Sequence, residues 1–257
     1  MWIYLGAFVI GLMIGSFLNV CIYRIPLKKS VIWWPSHCPH CTTPIKLYDN
    51  VPLFGYVLLK ARCRSCRALI SPRYPMVEII NGIGYAFIIW RFGLAWPSII
   101  YALLFSTLLV VTWIDLSHQI IPDRITLPGI LIGLLFASTI LPVGLLDSAL
   151  GVLIGGGVLW GVAWASPYVF GKEGMGGGDI KLLAMIGAFL GWKATLLTIL
   201  VGAIAGSVAG VSLILLHVIR RDQYLPFGPF LALGAVISMF YHREILSWYA
   251  GFLIGTR

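Results

Sequence analysis

Long apolar segments with almost no charge fill most of this chain, and they constrain its fold more than any other feature. A helix of about 20 apolar residues crosses a bilayer. By that rule the sequence predicts eight membrane segments, at residues 2–23, 76–91, 97–115, 125–142, 146–169, 180–192, 195–218 and 228–241. The sixth and eighth are short enough to be re-entrant or tilted, and residues 245–254 are a candidate interfacial helix. The chain is therefore predicted to be an all-α polytopic membrane protein, with the lipid bilayer as a partner.

Basic residues are concentrated in one loop, and this concentration predicts the orientation in the membrane. Nine of the 18 Lys and Arg lie between Arg24 and Arg73. Placing this loop in the cytoplasm puts 14 basic residues inside and four outside, the bias that cytoplasmic loops show. The net charge of +9 is thus explained by orientation and does not indicate nucleic-acid binding. The first apolar run has no basic start, so we expect a retained anchor.

The predicted organisation has three parts. Residues 1–23 form the first transmembrane helix, residues 24–75 a cytoplasmic cysteine-rich domain, and residues 76–257 a multi-helix membrane domain. Glycines spaced four residues apart predict close helix packing in the fifth and seventh segments, at Gly151, Gly155, Gly202, Gly206 and Gly210. The middle part is too short to build a strong hydrophobic core and needs an additional stabilising feature, such as a bound metal or disulfides.

Four of the five cysteines are candidates for this stabilising role. They form two C-x-x-C pairs, Cys38 with Cys41 and Cys63 with Cys66. Paired motifs of this kind are typical of tetrahedral zinc, and four thiolates leave no open coordination position, so the Zn²⁺ would be structural in a zinc-ribbon-like domain. Disulfides are the alternative, but a cytoplasmic loop lies in a reducing compartment.

One carboxylate, Asp179, stands directly after a glycine run and directly before an apolar segment. Since an acidic side chain at or in a membrane is energetically costly, Asp179 is a candidate functional residue. The glycines before it, Gly176 and Gly178 among them, let a substrate backbone approach without obstruction by a side chain. Lys181, two residues further on, is predicted to be an interfacial cation beside this approach.

Asp115 is the predicted partner of Asp179. It ends the apolar run 103–114, which places it at the inner boundary of the membrane. Asp123 follows a proline and is predicted to cap the next helix. Glu173 and Asp222 have basic neighbours and are predicted to be solvated loop charges.

Two carboxylates at one membrane boundary have a specific chemical use. When such groups lie close together they share a proton, so one acts as a base on water while the other acts as an acid toward a carbonyl. This is the chemistry of an aspartic protease. In the alternative, Asp115 and Asp179 are separate structural charges, each neutralised by Arg124 or Lys181.

Together these motifs resemble the bacterial type IV prepilin peptidases, the leader peptidases and N-methyltransferases of type IV pilus and type II secretion systems. The matching stretches run the whole length of the chain. In order, they are Gly15 to Val20, Tyr23 to Pro26, both cysteine pairs, Ser71 to Pro75 with Glu78, Asp115 ahead of Ile121 to Asp123, Met175 to Leu182, and Pro226 to Pro229.

The resemblance implies an intramembrane aspartyl protease with a G-x-G-D signature, in which Asp115 and Asp179 are catalytic. Such an enzyme removes the basic leader from prepilins and pseudopilins after a glycine, at the cytoplasmic face of the bacterial inner membrane. It then methylates the new N-terminal residue with S-adenosylmethionine as the donor. The cysteine tetrad corresponds to the family's metal-binding domain, which is linked to methylation. We further hypothesise that Glu78 holds the substrate amine.

Three other functions remain open at this point. A metal-dependent phosphotransferase acting on a lipid-linked phosphate would use inner-face aspartates to hold Mg²⁺. A proton-coupled transporter would need acids near the middle of the membrane and paired repeats. A zinc-ribbon scaffold without activity would leave Asp115 and Asp179 unexplained.

Overall fold

The computed structural model describes residues 1–33, 36–171, 176–220 and 224–254. Within these ranges the chain is helical and has no strand, which confirms the predicted all-α fold. Tertiary contacts divide it into two compact units, Met1–Ile114 and Asp115–Arg257. The predicted loop charges Glu173 and Asp222 lie outside the described residues, as do Gly174 and Met175 of the glycine-rich motif.

The first unit packs two long helices against each other. Helix α1 spans Trp2–Arg24 and helix α3 spans Arg73–Phe92. They touch backbone to backbone, because a β-carbon on Gly15 would lie 2.7 Å from the Cα of Glu78. Between them the chain forms a 3₁₀ turn at Leu47–Asn50 and a short helix α2 at Phe54–Leu58.

Helix α4 spans Trp96–His118, and its end enters the second unit. That unit continues with α5 (Asp123–Thr139), α6 (Leu145–Phe170), α7 (Gly177–Leu215) and α8 (Gly228–Ile254). Helix α7 is central, since it packs against α5, α6 and α8.

The close packing predicted from glycine spacing is confirmed at Gly151, Gly155 and Gly202, whereas β-carbons on Gly206 and Gly210 would make ordinary contacts at 3.4 and 3.7 Å. A β-carbon on Gly155 of α6 would lie 2.7 Å from the Leu183 carbonyl oxygen. One on Gly202 of α7 would lie 3.1 Å from the carbonyl oxygen of Phe230 in α8. Larger residues at these positions would push the helices apart, so the small residues set the helix spacing.

The predicted segments match the helices except in α8. The predicted break between segments 180–192 and 195–218 corresponds to Gly191, whose φ of 77° and ψ of 170° are non-helical, so α7 consists of two helices joined at a kink. The predicted end at residue 241 and the separate interfacial helix at 245–254 are wrong, because α8 continues through both. The charged residues Arg243 and Glu244 made the apolar run appear to end, but charge alone does not stop a helix.

Four helical stretches within the described residues are long and apolar enough to cross a membrane. They are Trp2–Arg24, Trp96–His118, Leu145–Tyr168 and Gly177–Leu215. These stretches support a polytopic membrane protein, and membrane crossing by α3, α5 and α8 stays a prediction.

Candidate active site

The two predicted catalytic carboxylates occupy two helix ends in the second unit. Asp115 lies near the C-terminal end of α4, and Asp179 lies in the first turn of α7. Each residue is only 4% exposed. Their negative charges interact with each other, so the structure brings together two residues that are 64 positions apart in the chain.

The start of α7 fixes the Asp179 side chain. Gly176 precedes the helix with an extended ψ of 143°. Its backbone N–H donates to the Asp179 carboxylate, and its carbonyl accepts from the Asp179 N–H at 3.2 Å. A carboxylate at the third helical position that reaches back to the residue before the helix forms half of a capping box. The partial positive charge at the helix N-terminus also attracts it.

The start of α8 fixes the Asp115 side chain. The backbone N–H of Gly228 donates to Oδ2 of Asp115 at 3.0 Å. A β-carbon on Gly228 would lie 2.7 Å from that oxygen, so only glycine fits there. Gly228 lies within the motif from Pro226 to Pro229, but nothing in the sequence near it predicts a contact with Asp115.

Ile121, in the segment after α4, contacts both of the other helix starts. A β-carbon on Gly178 would lie 2.8 Å from Cβ of Ile121, and one on Gly228 would lie 3.2 Å from its Cδ1. Three helix ends therefore meet around the two carboxylates. Gly178 is in contact with Ile121. The role of Gly178 in leaving room for a substrate backbone therefore stays a prediction.

One carboxylate oxygen is left without a partner. Oδ1 of Asp179 is buried and has no hydrogen bond from any described residue. Leaving a buried polar atom unpaired costs about 1–3 kcal/mol, and such atoms are rare in native proteins. This oxygen is therefore the atom of the pair best placed to take a proton from a water molecule or a substrate.

Tyr224 is a further residue beside the pair, and the sequence contained no signal for it. A β-carbon on Gly176 would lie 3.6 Å from Oδ2 of Asp179 and 3.8 Å from the Tyr224 hydroxyl oxygen. Tyr224 is about half exposed. Partial burial of its hydroxyl, and then the negative charges of Asp179 and Asp115, raise the pKa of Tyr224. The side chain therefore presents a neutral hydroxyl.

If Asp179 were only a structural charge, Lys181 would be one of its candidate counter-ions, but the structure gives Lys181 another partner. Its Nζ lies 2.8 Å from both carboxylate oxygens of Asp123. Lys181 thus pairs with Asp123, so it does not serve as the counter-ion of Asp179. The predicted capping role of Asp123 is wrong, because Pro122 occupies the cap position and Asp123 is the first residue of α5.

Glu78 lies on α3 in the first unit and is 7% exposed. One of its carboxylate oxygens, Oε2, accepts a hydrogen bond from the backbone N–H of Leu53 at 2.8 Å. The Ser16 side chain also hydrogen-bonds to this carboxylate. These contacts connect α1, the cysteine-rich loop and α3, while the proposed contact with a substrate amine stays a hypothesis.

The four predicted metal ligands form one cluster in the first unit. Their sulfur atoms all lie within 4.8 Å of one another. The Cys38 and Cys66 sulfurs are 3.8 Å apart, and those of Cys41 and Cys63 are 3.9 Å apart. A disulfide requires about 2.05 Å. Zn–S bonds of about 2.3 Å in a tetrahedron place sulfurs about 3.8 Å apart. The cluster therefore fits a metal ion.

The two cysteine pairs have the same local fold. In the first turn, the Cys38 N–H donates to the Thr43 carbonyl and the Thr42 N–H donates to the Cys38 carbonyl. In the second turn, the same two bonds connect Cys63 with Ala68 and Arg67. Thr42 and Arg67 both have positive φ, at 56° and 61°. Such turns direct both sulfurs of a pair toward one point.

The pKa values of the thiols move in different directions: burial and hydrogen bonds with the neighbouring cysteine sulfurs raise the pKa of Cys66 to about 11, whereas those of Cys41 and Cys63 are lowered. Hydrogen bonding to the side chain and backbone of Thr43 lowers the pKa of Cys41 to about 6. The pKa of Cys63 is lowered as well, first by hydrogen bonds from the Cys66 and Ser65 backbone. Since the thiolate is the form that binds metals, these turns prepare two of the four sulfurs for a cation.

Two protein-family models match the chain. Residues 9–92 match the Bacterial Peptidase A24 N-terminal domain, and residues 102–211 match the Type IV leader peptidase family. The matches cover the cysteine cluster and both carboxylates.

Curated relatives cover nearly the whole chain. The prepilin leader peptidase/N-methyltransferase of Stutzerimonas stutzeri is 36% identical over 96% of this chain and 94% of that protein. The protein of the same name in Pseudomonas aeruginosa is 35% identical over 95% and 92%. That of Pectobacterium carotovorum subsp. carotovorum is 40% identical over 90% of each chain. No solved structure gives a significant match.

Proposed function

The chain belongs to the type IV leader peptidase family, and on that premise we propose that it cleaves the leader peptide from prepilins and pseudopilins and N-methylates the new N-terminal residue. The observation that carries the proposal is the pairing of two buried aspartates, Asp115 and Asp179, where three helix ends meet. The names of the relatives support both activities. No observation favours the metal-dependent phosphotransferase.

The aspartate pair performs the cleavage by sharing one proton. The ionised carboxylate takes a proton from water as the water oxygen attacks the scissile carbonyl carbon. The protonated carboxyl donates to the carbonyl oxygen, and a second proton transfer releases the new amine. The Gly228 N–H holds Asp115 in place. The unpaired Oδ1 of Asp179 then serves as the atom that exchanges a proton with water.

The site lies at the cytoplasmic face of the bacterial inner membrane. The bias of 14 basic residues against four supports this orientation. In this arrangement residues 1–23 anchor the chain, residues 24–75 form the cytoplasmic domain and residues 76–257 form the membrane domain. The glycines Gly176 and Gly178 and the cation Lys181 flank the path of an unwound substrate backbone to Asp179.

The cysteine cluster holds a structural Zn²⁺. Cys38, Cys41, Cys63 and Cys66 would hold the ion, which would stabilise the loop and leave no coordination position for substrate. S-adenosylmethionine supplies the methyl group in the second reaction. Glu78 holds the substrate amine, and we expect Glu78→Gln to slow methylation more than cleavage. Equal rates of methylation in Glu78→Gln and the unsubstituted protein would contradict this role.

The test is the mass of a prepilin after incubation with the purified protein and S-adenosylmethionine. We expect the loss of the leader and then the gain of one methyl group. An unchanged substrate mass would refute the proposed function. EDTA is then added to remove free divalent cations while the bound zinc is retained. Activity that persists under these conditions is expected of the protease and not of a Mg²⁺-dependent phosphotransferase.

A further inference from the structure

A cavity of about 560 Å³ lies within the first unit. Its wall is formed by the C-terminal half of α1, the start of α3 and the cysteine-rich loop. Cavities of about 300–1,000 Å³ are typical of small-molecule and cofactor sites. The carboxylates of the cleavage reaction, Asp115 and Asp179, are not among the residues that line this cavity.

Two residues on the cavity wall each leave a buried polar atom unpaired. Asn19 is 3% exposed, and its side-chain amide donates to the carbonyls of Gly15 and Tyr74 at 3.3 and 3.1 Å. Its Oδ1 has no partner among the described residues, and neither has Nε of Arg73. One wall therefore carries an unsatisfied acceptor and an unsatisfied cationic donor. Such atoms are rare in native proteins and indicate a ligand that supplies the missing groups.

Other residues on the wall add an anionic group and aromatic faces. Glu78 is buried, and its carboxylate accepts hydrogen bonds from the Leu53 N–H and the Ser16 side chain. Three tyrosines, Tyr23, Tyr56 and Tyr74, also line the cavity. Aromatic rings stack on the flat face of a nucleobase and contribute about 1–3 kcal/mol per base. The wall thus offers groups for a charged amino acid and for a base.

We propose that this cavity binds S-adenosylmethionine, a molecule that joins an α-amino acid to an adenine nucleoside through a sulfonium. This inference rests on the proposed methyltransferase function. Arg73 binds the α-carboxylate by a charge-assisted hydrogen bond, and Asn19 Oδ1 accepts from the α-ammonium. The tyrosine rings stack on the adenine. Glu78 supplies a negative charge beside the positive charges of the donor and of the substrate amine.

The transfer balances with these groups. The amine nitrogen of the new N-terminus attacks the methyl carbon, the carbon–sulfur bond breaks with its electron pair going to sulfur, and the amine releases one proton. The products are an N-methylated peptide and S-adenosylhomocysteine. The chain's own contribution is to bind and orient the two reactants.

The metal cluster and the cavity share part of their wall. Cys38 and Cys63 belong to the cluster, and both also line the cavity. His37 and His40, beside the first cysteine pair, line it as well. A metal ion that fixes the two turns therefore fixes one side of the ligand site, so loss of the metal would weaken binding of the ligand without removing any of its contacts.

Isothermal titration with S-adenosylhomocysteine tests the site without requiring catalysis. Arg73→Gln should weaken binding about tenfold or more, because it removes a charge-assisted hydrogen bond to the carboxylate. The matched control is Lys29→Gln, which removes one positive charge from an exposed residue outside the cavity wall and outside both cysteine turns. It should bind like the unsubstituted protein. Thermal unfolding checks that each variant is folded.

Equal dissociation constants for Arg73→Gln and the unsubstituted protein would overturn the assignment. A second measurement does not depend on any variant. After ultraviolet crosslinking of S-adenosylmethionine, peptide mapping should find the label within residues 16–78, and a label confined to Asp115–Arg257 would contradict the proposal. If the unsubstituted protein methylates its product but the binding or the crosslinking result contradicts the proposal, S-adenosylmethionine does not bind in this cavity and the proposed function stands. If it neither cleaves nor methylates a prepilin, both fail.

Discussion

The first unit, Met1–Ile114, and the second, Asp115–Arg257, pack their helices in the same way but hold different chemistry. In both, glycines bring helices into backbone contact, at Gly15 in the first and Gly155 in the second. The first unit carries four clustered thiols and a cavity with an unpaired acceptor and an unpaired donor. The second carries two buried carboxylates at a meeting of helix ends. The residues that we propose for methyl transfer and those that we propose for hydrolysis therefore belong to different units.

The way each site is stabilised also differs. The loop of the first unit is short and has only a few helical turns, so a metal ion held by the four cysteines would supply much of its stability. The carboxylates of the second unit are held by the backbone N–H groups of Gly176 and Gly228 at two helix starts. We therefore expect the first site to fail when metal is lost and the second to fail when a helix start is disturbed.

The largest expected effect follows from removing a carboxylate of the pair. Asp115→Asn and Asp179→Asn should each lower the rate of leader cleavage about a thousandfold or more, because an amide can act as neither the acid nor the base. Asp123→Asn is the matched control, since Asp123 is exposed and pairs with Lys181. It should cleave at close to the normal rate. Normal cleavage by either of the first two variants would remove the pair from the mechanism.

The next effect concerns the metal cluster. Cys38→Ser should lower bound zinc from about one ion per chain to about none, and methylation should fall with it, because the ion fixes one wall of the proposed donor site. Zinc is measured by elemental mass spectrometry. Cys21→Ala is the control, since Cys21 lies in α1 outside the cluster. Full methylation by a zinc-free Cys38→Ser protein would separate the cluster from the cavity.

A smaller effect is expected at the start of α8. Gly228→Ala places a β-carbon 2.7 Å from Oδ2 of Asp115, so the carboxylate must move and cleavage should slow about tenfold to a hundredfold. The rate of leader loss measures this. Gly161→Ala serves as the control, because no atom lies within 4 Å of a β-carbon there. If both variants cleave equally fast, the position of Asp115 does not depend on α8.

The smallest effect is expected at the ion pair between α5 and α7. Lys181→Met removes a partly exposed contact with Asp123 and should change the free energy of unfolding by about 1 kcal/mol or less. Denaturant unfolding measures it. A thousandfold loss of cleavage in this variant would mean that Lys181 acts in the chemistry, as the aspartates are proposed to do.

The helices could be predicted from the sequence because apolar length alone determines them. The predicted end of the last helix was wrong because charged residues were taken to mark the end of the helix. Arg243 and Glu244 do not end α8, and Gly191 breaks α7 by its positive φ without a loop. The sequence placed this break between the segments 180–192 and 195–218, and the structure locates it at Gly191, where the positive φ changes the direction of the helix.

The site was predictable in its carboxylates and its thiols but not in what holds them. Residue chemistry and membrane position single out Asp115 and Asp179. Gly228, which binds Asp115, lies 113 residues further along the chain, and no local pattern connects the two. The partner of Lys181 is likewise 58 residues away. Sequence patterns of this kind report local geometry, whereas these contacts depend on how distant helix ends are packed together.

The central claim is that hydrolysis and methyl transfer use separate sites. The most direct test is to incubate the Asp179→Asn variant with a pilin peptide that already lacks its leader. With S-adenosylmethionine present, the mass of the peptide is followed over time. We predict that this variant adds one methyl group at close to the normal rate, although it cannot remove a leader from a prepilin. Loss of methylation together with cleavage, in a folded variant, would contradict the account and indicate a single shared site.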